Sequence, residues 1–260
     1  MSKLVIMEFG GVVCNQQTAL KRARERVNLI LTQCGIDGSE FWRLYEDVEP
    51  QLQSAVIDGF LSDDEYEWHR FADVCQRLTN CVGILPTAIG SVFAEETVRK
   101  ASLFDDVLPA FSRLHEAGCR VVVVAPGLSS IQREIFRVTR LGEVLENRRF
   151  YVSEELGLLG SDGEFLRAVL HDNGFAPSEA IFVGSNLESS VWSAETHGVR
   201  GILLDRESEM GVAYAGERAF SLEGLVSMLL GETLSGDSKV PGVEEGSVAE
   251  SSLEEVPFLV

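Results

Sequence analysis

Basic residues are scarce in this chain, and the shortage excludes whole classes of partner. Across 260 residues, 22 Lys and Arg stand against 41 Asp and Glu, a formal net charge of −19. Nucleic-acid phosphates demand a basic footprint, so no nucleic acid is expected as a partner, and no anionic membrane surface either. Long apolar runs are missing too. The longest are strand-sized, and the first residues lack a charged stretch followed by the apolar core of a leader. The expectation is a soluble protein of the cytoplasm. Histidines number only four, His69, His115, His171 and His197, and they lie too far apart to read as zinc ligands. The five cysteines, Cys14, Cys34, Cys75, Cys81 and Cys119, are odd in number and contain no Cys-x-x-Cys pair. They read as free thiols in a reducing compartment.

What is present is an α/β pattern. From residue 100 to 230 apolar strands alternate with amphipathic helices, the signature of a doubly wound parallel sheet covered on both faces. Strands are expected near 3–8, 120–125, 149–152, 180–184 and 200–204, and helices near 107–117, 129–141, 162–173, 187–197 and 221–231. Between the first strand and this block the periodicity is helical. Leu20, Ala23, Val27, Ile30, Leu31 and Cys34 recur as one stripe, and Ser62-Asp63-Asp64-Glu65 fits a capping box. The division expected is a core of residues 1–14 and 100–231, a helical insertion over 15–99, and a tail over 232–260. The tail holds seven acidic residues against one Lys, a composition that predicts disorder, although Pro257-Phe258-Leu259-Val260 are apolar again.

Four segments carry a more specific signal. Lys3-Leu4-Val5-Ile6-Met7-Glu8-Phe9-Gly10-Gly11 is an apolar strand ending in one carboxylate and a glycine turn. Val121-Val122-Val123-Val124-Ala125-Pro126-Gly127 is a second such strand, and Ser153 to Phe165 carries Gly157, Gly160, Asp162 and Glu164 at set spacing. The fourth is Ala180-Ile181-Phe182-Val183-Gly184-Ser185-Asn186-Leu187-Glu188-Ser189-Ser190. In order and spacing these resemble the four motifs of the haloacid dehalogenase-like (HAD) hydrolases, over residues 1 to about 230. The resemblance implies that 15–99 is a helical cap. It also implies that the nucleophilic Asp is matched by Glu8, the acid/base Asp by Gly10, the phosphate-binding Ser/Thr by Ala125, the charge-neutralising Lys by Gly160, and the magnesium Asp by Ser185.

The substitutions bear on chemistry. A glutamate reaches one methylene further than aspartate, and a misplacement of about 1 Å can cost on the order of a hundredfold in rate. Loss of one preorganised charge, as at Gly160, commonly costs on the order of 3 kcal/mol at the transition state. Glu8 is the weak candidate for a metal ligand, so no cofactor is expected, or Mg²⁺ if activity persists. Helix N-termini remain anion sites without charged side chains, which makes Gly127, Ser129, Ser185 and Asn186 candidates for a small anionic metabolite. Ser129-Ser130-Ile131-Gln132, Ser161-Asp162-Gly163-Glu164 and Ser185-Asn186-Leu187-Glu188 also fit capping boxes, a purely structural use of the same residues. Lys21, Arg22, Arg24 and Arg26 form a basic cluster that reads as a solvated helix face or as a patch for an acidic protein partner. Cys14 reads as a buried thiol.

Together these features point to a catalytically impaired HAD-like protein with a binding or regulatory role. Two alternatives stay open: a divergent HAD-type phosphatase or dehalogenase acting on a small phosphorylated or halogenated metabolite, and a structural or assembly partner. Whether Glu8 retains chemistry, the sequence leaves undecided.

Overall fold

The fold is organised by five runs of consecutive apolar residues that pair in parallel, each buried on both faces. A computed structural model describes residues 3–61, 63–78, 86–158, 163–206 and 214–232. Among them β1 (Leu4–Glu8), β2 (Arg120–Ala125), β3 (Phe150–Val152), β4 (Ala180–Gly184), β5 (Arg200–Leu204) and β6 (Glu217–Ala219) form one sheet in the order β3-β2-β1-β4-β5-β6. Every pairing is parallel, with Ile6 opposite Val122 on one side and Phe182 on the other. Successive side chains of a strand point to opposite faces. Val5 and Met7 accordingly join one hydrophobic cluster, while Leu4 and Ile6 join another.

Helices cover both faces. α5 (Val107–Glu116), α6 (Ser129–Val138) and α9 (Leu222–Leu230) bury Phe111, Ile135 and Leu225 against the first face. α7 (Gly163–Asn173) and α8 (Trp192–Thr196) close the second through Phe165, Val169 and Ala194. The ends are set by local chemistry. Ser221 accepts from Gly224 N at the start of α9, and Gly231, at φ 71, ends it in the left-handed conformation that glycine adopts freely.

Between β1 and β2 lie α1 (Gln16–Gln33), α2 (Gly38–Ile57), α3 (Asp63–Arg77) and α4 (Pro86–Lys100). They share a separate core in which Phe41, Trp42, Tyr45, Phe71 and Phe93 meet ring to ring, with centroids 4.9–6.0 Å apart. Aromatic pairs at this range add about 0.5–1.5 kcal/mol beyond their buried area. The stripe of α1 differs from the expected one. Ala19, Ala23, Val27 and Leu31, four residues apart, are buried, whereas Leu20 is half-exposed and Cys34 is exposed. The helix turns Leu20 toward the adjoining cleft instead. The chain enters and leaves this unit side by side: Cys14 bridges Leu103, and Asn15 N donates to Ser102 O at 2.8 Å.

β6 was not expected. Glu-Arg-Ala has no apolar run to announce a strand, and its place is fixed from outside by ion pairs of Glu217 with Arg200 and of Arg218 with Asp205. Ser62, Cys81, Gly160, Ser161, Asp162 and the tail beyond Glu232 lie outside the described residues.

Candidate functional site

In an open parallel sheet, a crevice forms where the strand order reverses, outside the carboxyl ends of the strands. Here the reversal lies at β1, flanked by β2 and β4. It gathers Glu8, Ala125 and Ser185 at one place, as the sequence motifs require.

Glu8 is held through one carboxylate oxygen by Ser185. Ser185 N donates to Glu8 Oε2 at 2.9 Å, and Ser185 Oγ lies 2.9 Å from the same oxygen and 3.2 Å from Gly10 O. Burial pushes the Glu8 carboxyl above its ordinary value, against the pull of hydrogen bonds from the Ser185 backbone, the Ser185 hydroxyl and Ser190. The turn after Glu8 is a tight loop in which Val13 N and Cys14 N both donate to Phe9 O, at 3.2 and 2.7 Å. Gly11 stands at φ 78, and a Cβ on it would lie 2.4 Å from Ser185 Oγ. The glycine is therefore required both by its backbone conformation and by its contact with the β4 end.

Gly10 leaves no void. A Cβ there would fall 2.6 Å from Gln16 Oε1, so the first residue of α1 occupies the space of a residue-10 side chain. Gln16 Nε2 donates to Gln132 Oε1 at 2.9 Å, and Gln132 Nε2 to Pro126 O at 3.2 Å. The chain of amides ties the helical unit to the loop after β2.

The corner beyond β2 is engaged in the same way. Ala125 is fully buried and offers no hydroxyl. Gly127 N donates to Ser153 Oγ at 3.0 Å, Ser129 N to Glu154 Oε2 at 2.6 Å, and Ser129 Oγ to Glu155 Oε1 at 2.6 Å. Arg133 grips Glu155 through Nε at 2.7 Å and Nη2 at 2.5 Å, holding its carboxyl below the usual range. The positive end of α6 thus faces a carboxylate of this chain. Ser129 does not cap α6 as the capping box supposes: Leu128 holds the cap position, and the amide and hydroxyl of Ser129 go to Glu154 and Glu155. At the β4 end the cap is Asn186, not Ser185: Asn186 Oδ1 accepts from Glu188 N at 3.0 Å and Ser189 N at 2.9 Å, opening a π-turn over Leu187–Val191.

The structure therefore brings Glu8, Gly10 and Ser185 into contact and sets Gly127 and Ser129 at the neighbouring corner, whereas Asn186 is spent on its own helix start. Sequence reasoning missed Gln16, Gln132, Ser153 and Glu154. Ser153 and Glu154 open the third segment but were given no role there, and Gln132 stood only in a capping pattern. Beside this centre, between the helical unit and α6, lies a cleft of about 300 Å³ lined by Gln16, Arg24, Arg70, Gly127 and Gln132 among others.

A strand end with one carboxylate, a glycine turn, a helical unit inserted directly behind it and this strand order occur together in a known group. The chain has the HAD-like fold. L-2-haloacid dehalogenase from Xanthobacter autotrophicus matches it with a TM-score of 0.60 and 14% identity, over 90% of this chain and 100% of that one. A HAD phosphatase from Thermococcus onnurineus matches with a TM-score of 0.59 and 17% identity, over 88% and 99%. The magnesium-bound HAD-type protein YfnB of Bacillus subtilis matches with a TM-score of 0.63 and 16% identity, again over 88% and 99%. In sequence, 114 residues are 31% identical to enolase-phosphatase E1 of Gluconacetobacter diazotrophicus. That match takes in 44% of this chain and spans about half, 48%, of the relative's length. No family model matches the chain. Phosphatases and dehalogenases are thus among the proteins it is similar to.

Magnesium is bound in one of these HAD-fold relatives, so its fit here bears on function. The ion takes near-octahedral oxygen geometry with one or two carboxylates. The Glu8 corner offers one carboxylate, the Ser185 hydroxyl and the Gly10 carbonyl. Glu188 is exposed on the π-turn, and among the described residues no group of three or more His, Cys, Asp or Glu is placed to hold a metal. The corner thus supplies one carboxylate and two neutral oxygens, the lower limit of what a magnesium ion takes from a protein. Among the described residues no helix is long and apolar enough to cross a membrane.

Proposed function

We propose that this chain is a HAD-fold protein whose reaction centre is closed by its own side chains, and that it acts by binding rather than by hydrolysis. In this reading residues 15–99 serve as a cap over a core of 1–14 and 100–231, the protein works in the cytoplasm, and its ligand is a small anionic metabolite. The observation that carries the reading is at position 10. The side chain there is absent, and Gln16 stands in its space while Ser185 engages Oε2 of Glu8 through both its amide and its hydroxyl. A carboxylate pushed toward its neutral form and tied to a serine is a poor nucleophile, and no side chain at position 10 can move a proton. The donors that would receive a phosphoryl group at Gly127 and Ser129 already serve Ser153 and Glu154. Groups that act together in catalysis lose their effect together.

The relatives favour a second reading, a hydrolase of altered chemistry, since those found by fold and by sequence are phosphatases and dehalogenases. Orthovanadate, a phosphoryl transition-state mimic, separates the two. With Mg²⁺ present, a closed centre leaves the melting temperature unmoved. A rise that saturates with vanadate and disappears in Glu8→Ala supports the hydrolase.

A further inference from the structure

The cleft beside the closed centre has a chemistry of its own. Among the described residues, the charged ones that line it are Arg24, Arg70 and Glu49. Arg70 is buried and already committed. Its Nη2 lies 2.7 Å from Glu49, its Nε donates to Tyr45 O at 3.1 Å, and the guanidinium sits 3.4 Å over the Tyr45 ring. Arg24 differs. It rests 5.1 Å over Trp42 and pairs at 2.8 Å with Glu46, an exposed residue that does not line the cleft. Exposed ion pairs are weak and easily exchanged. Arg24 is thus the lining cation whose carboxylate partner lies outside the cleft and can be exchanged for another anion.

The rest of the wall is largely apolar. Leu20, Phe93, Leu128 and Ile131 surround a space of about 300 Å³, room for roughly ten water-sized groups. A phosphate dianion is poorly served here. The amides at the α6 end are bonded to Ser153 and Glu154, and Glu154 adds negative charge where a phosphate would need donors. The fork of one guanidinium takes a carboxylate or a phosphate alike, but a monoanion leaves less charge unbalanced beside Glu154.

We propose that this cleft binds a carboxylate carrying an apolar body of about eight carbons, its head on Arg24 and its chain against Leu20, Phe93, Leu128 and Ile131. The inference rests on the reading of the centre as closed, because the ligand is held beside Glu8 and not consumed there.

Calorimetric titration of the full chain tests it, with octanoate as probe beside octanamide and hexyl phosphate. Octanoate should bind one to one and saturably, with the other two weaker by about tenfold or more, the usual effect of one charge-assisted contact. Arg24→Gln, at the rim, should weaken octanoate about tenfold and bring it level with octanamide. Ala94→Trp, which fills the cleft from α4, should abolish binding in a protein that still melts cooperatively. Absence of saturable octanoate binding overturns the inference, as does binding that survives both substitutions. Hexyl phosphate binding as tightly as octanoate overturns the carboxylate assignment and leaves the closed centre standing. Glu8-dependent release of phosphate from hexyl phosphate overturns the closed centre itself.

Discussion

Gln16 Oε1 stands 2.6 Å from the point where a Cβ of residue 10 would lie, so the start of the helical unit and the turn after β1 compete for one volume. Gly10→Asp should therefore push the flexible Gln16 amide off its bond to Gln132, a cost of about 0.5–1.5 kcal/mol, in addition to placing a second carboxylate near Glu8. Gln16→Ala should cost only the bond to Gln132, about 0.5–1.5 kcal/mol. The double variant should be more stable than the sum of the two, with a coupling of at least about 0.5 kcal/mol. Urea denaturation of all four proteins measures it, and strict additivity would show that the two positions do not share the space.

Gly11 meets Ser185 more severely. Its φ of 78 penalises any Cβ, and that Cβ would touch Ser185 Oγ at 2.4 Å. Gly11→Ala should destabilise by about 2 kcal/mol or more, combining backbone strain of about 1–3 kcal/mol with a clash against the β4 end. Adding Ser185→Gly should recover only part of this loss, since the strain remains. Thermal melts of the single and double variants separate the two contributions.

The Glu8 carboxyl, raised by burial, should leave a signature in the pH dependence of stability. A carboxyl whose folded value lies above its unfolded one favours the folded state most at low pH. The contribution is complete below the ordinary value of 4.5 and is lost as pH rises through the raised folded value. Glu8→Gln keeps an oxygen to accept from Ser185 and removes the titration. Relative to wild type, the variant should gain stability as pH rises from 4.5 to 8, and the gap should close again toward pH 4.5. Melting temperatures of both proteins across that range check the sign.

The thiols should react in an order set by burial. Cys14 is fully buried and its thiol is pushed up to about 12 by desolvation, against a bond from the Ser102 backbone, whereas Cys34 is exposed. A maleimide at pH 7.5 should label Cys34 within minutes and leave Cys14 unmodified until the protein unfolds. Mass spectrometry of digested samples reads the sites directly.

Much of the fold was legible because its strands are apolar runs buried on both faces. The five strands expected near 3–8, 120–125, 149–152, 180–184 and 200–204 became β1 to β5, with boundaries shifted by at most one residue. β6 was not legible, since Glu217-Arg218-Ala219 pairs only with β5 and is positioned by charges from other segments. Position 10 of the site was legible as a missing side chain, but its replacement was not. Gln16 is a polar residue at a helix start, indistinguishable in sequence from a solvated one. Glu154 reaches an amide 25 residues away, a partnership that no local pattern encodes. Leu20 was assigned to the α1 stripe because helical spacing allows it, and only the packing of α1 shows that Ala19 takes that place.

The measurement that bears most directly on the closed centre is hydrolysis itself. Wild type and Glu8→Ala should be compared side by side, with Mg²⁺, over a panel of small phosphoesters and 2-haloacids. The account predicts equal, background rates for the two proteins on every substrate. Turnover by wild type that Glu8→Ala abolishes would contradict it and make Glu8 the nucleophile of a working hydrolase.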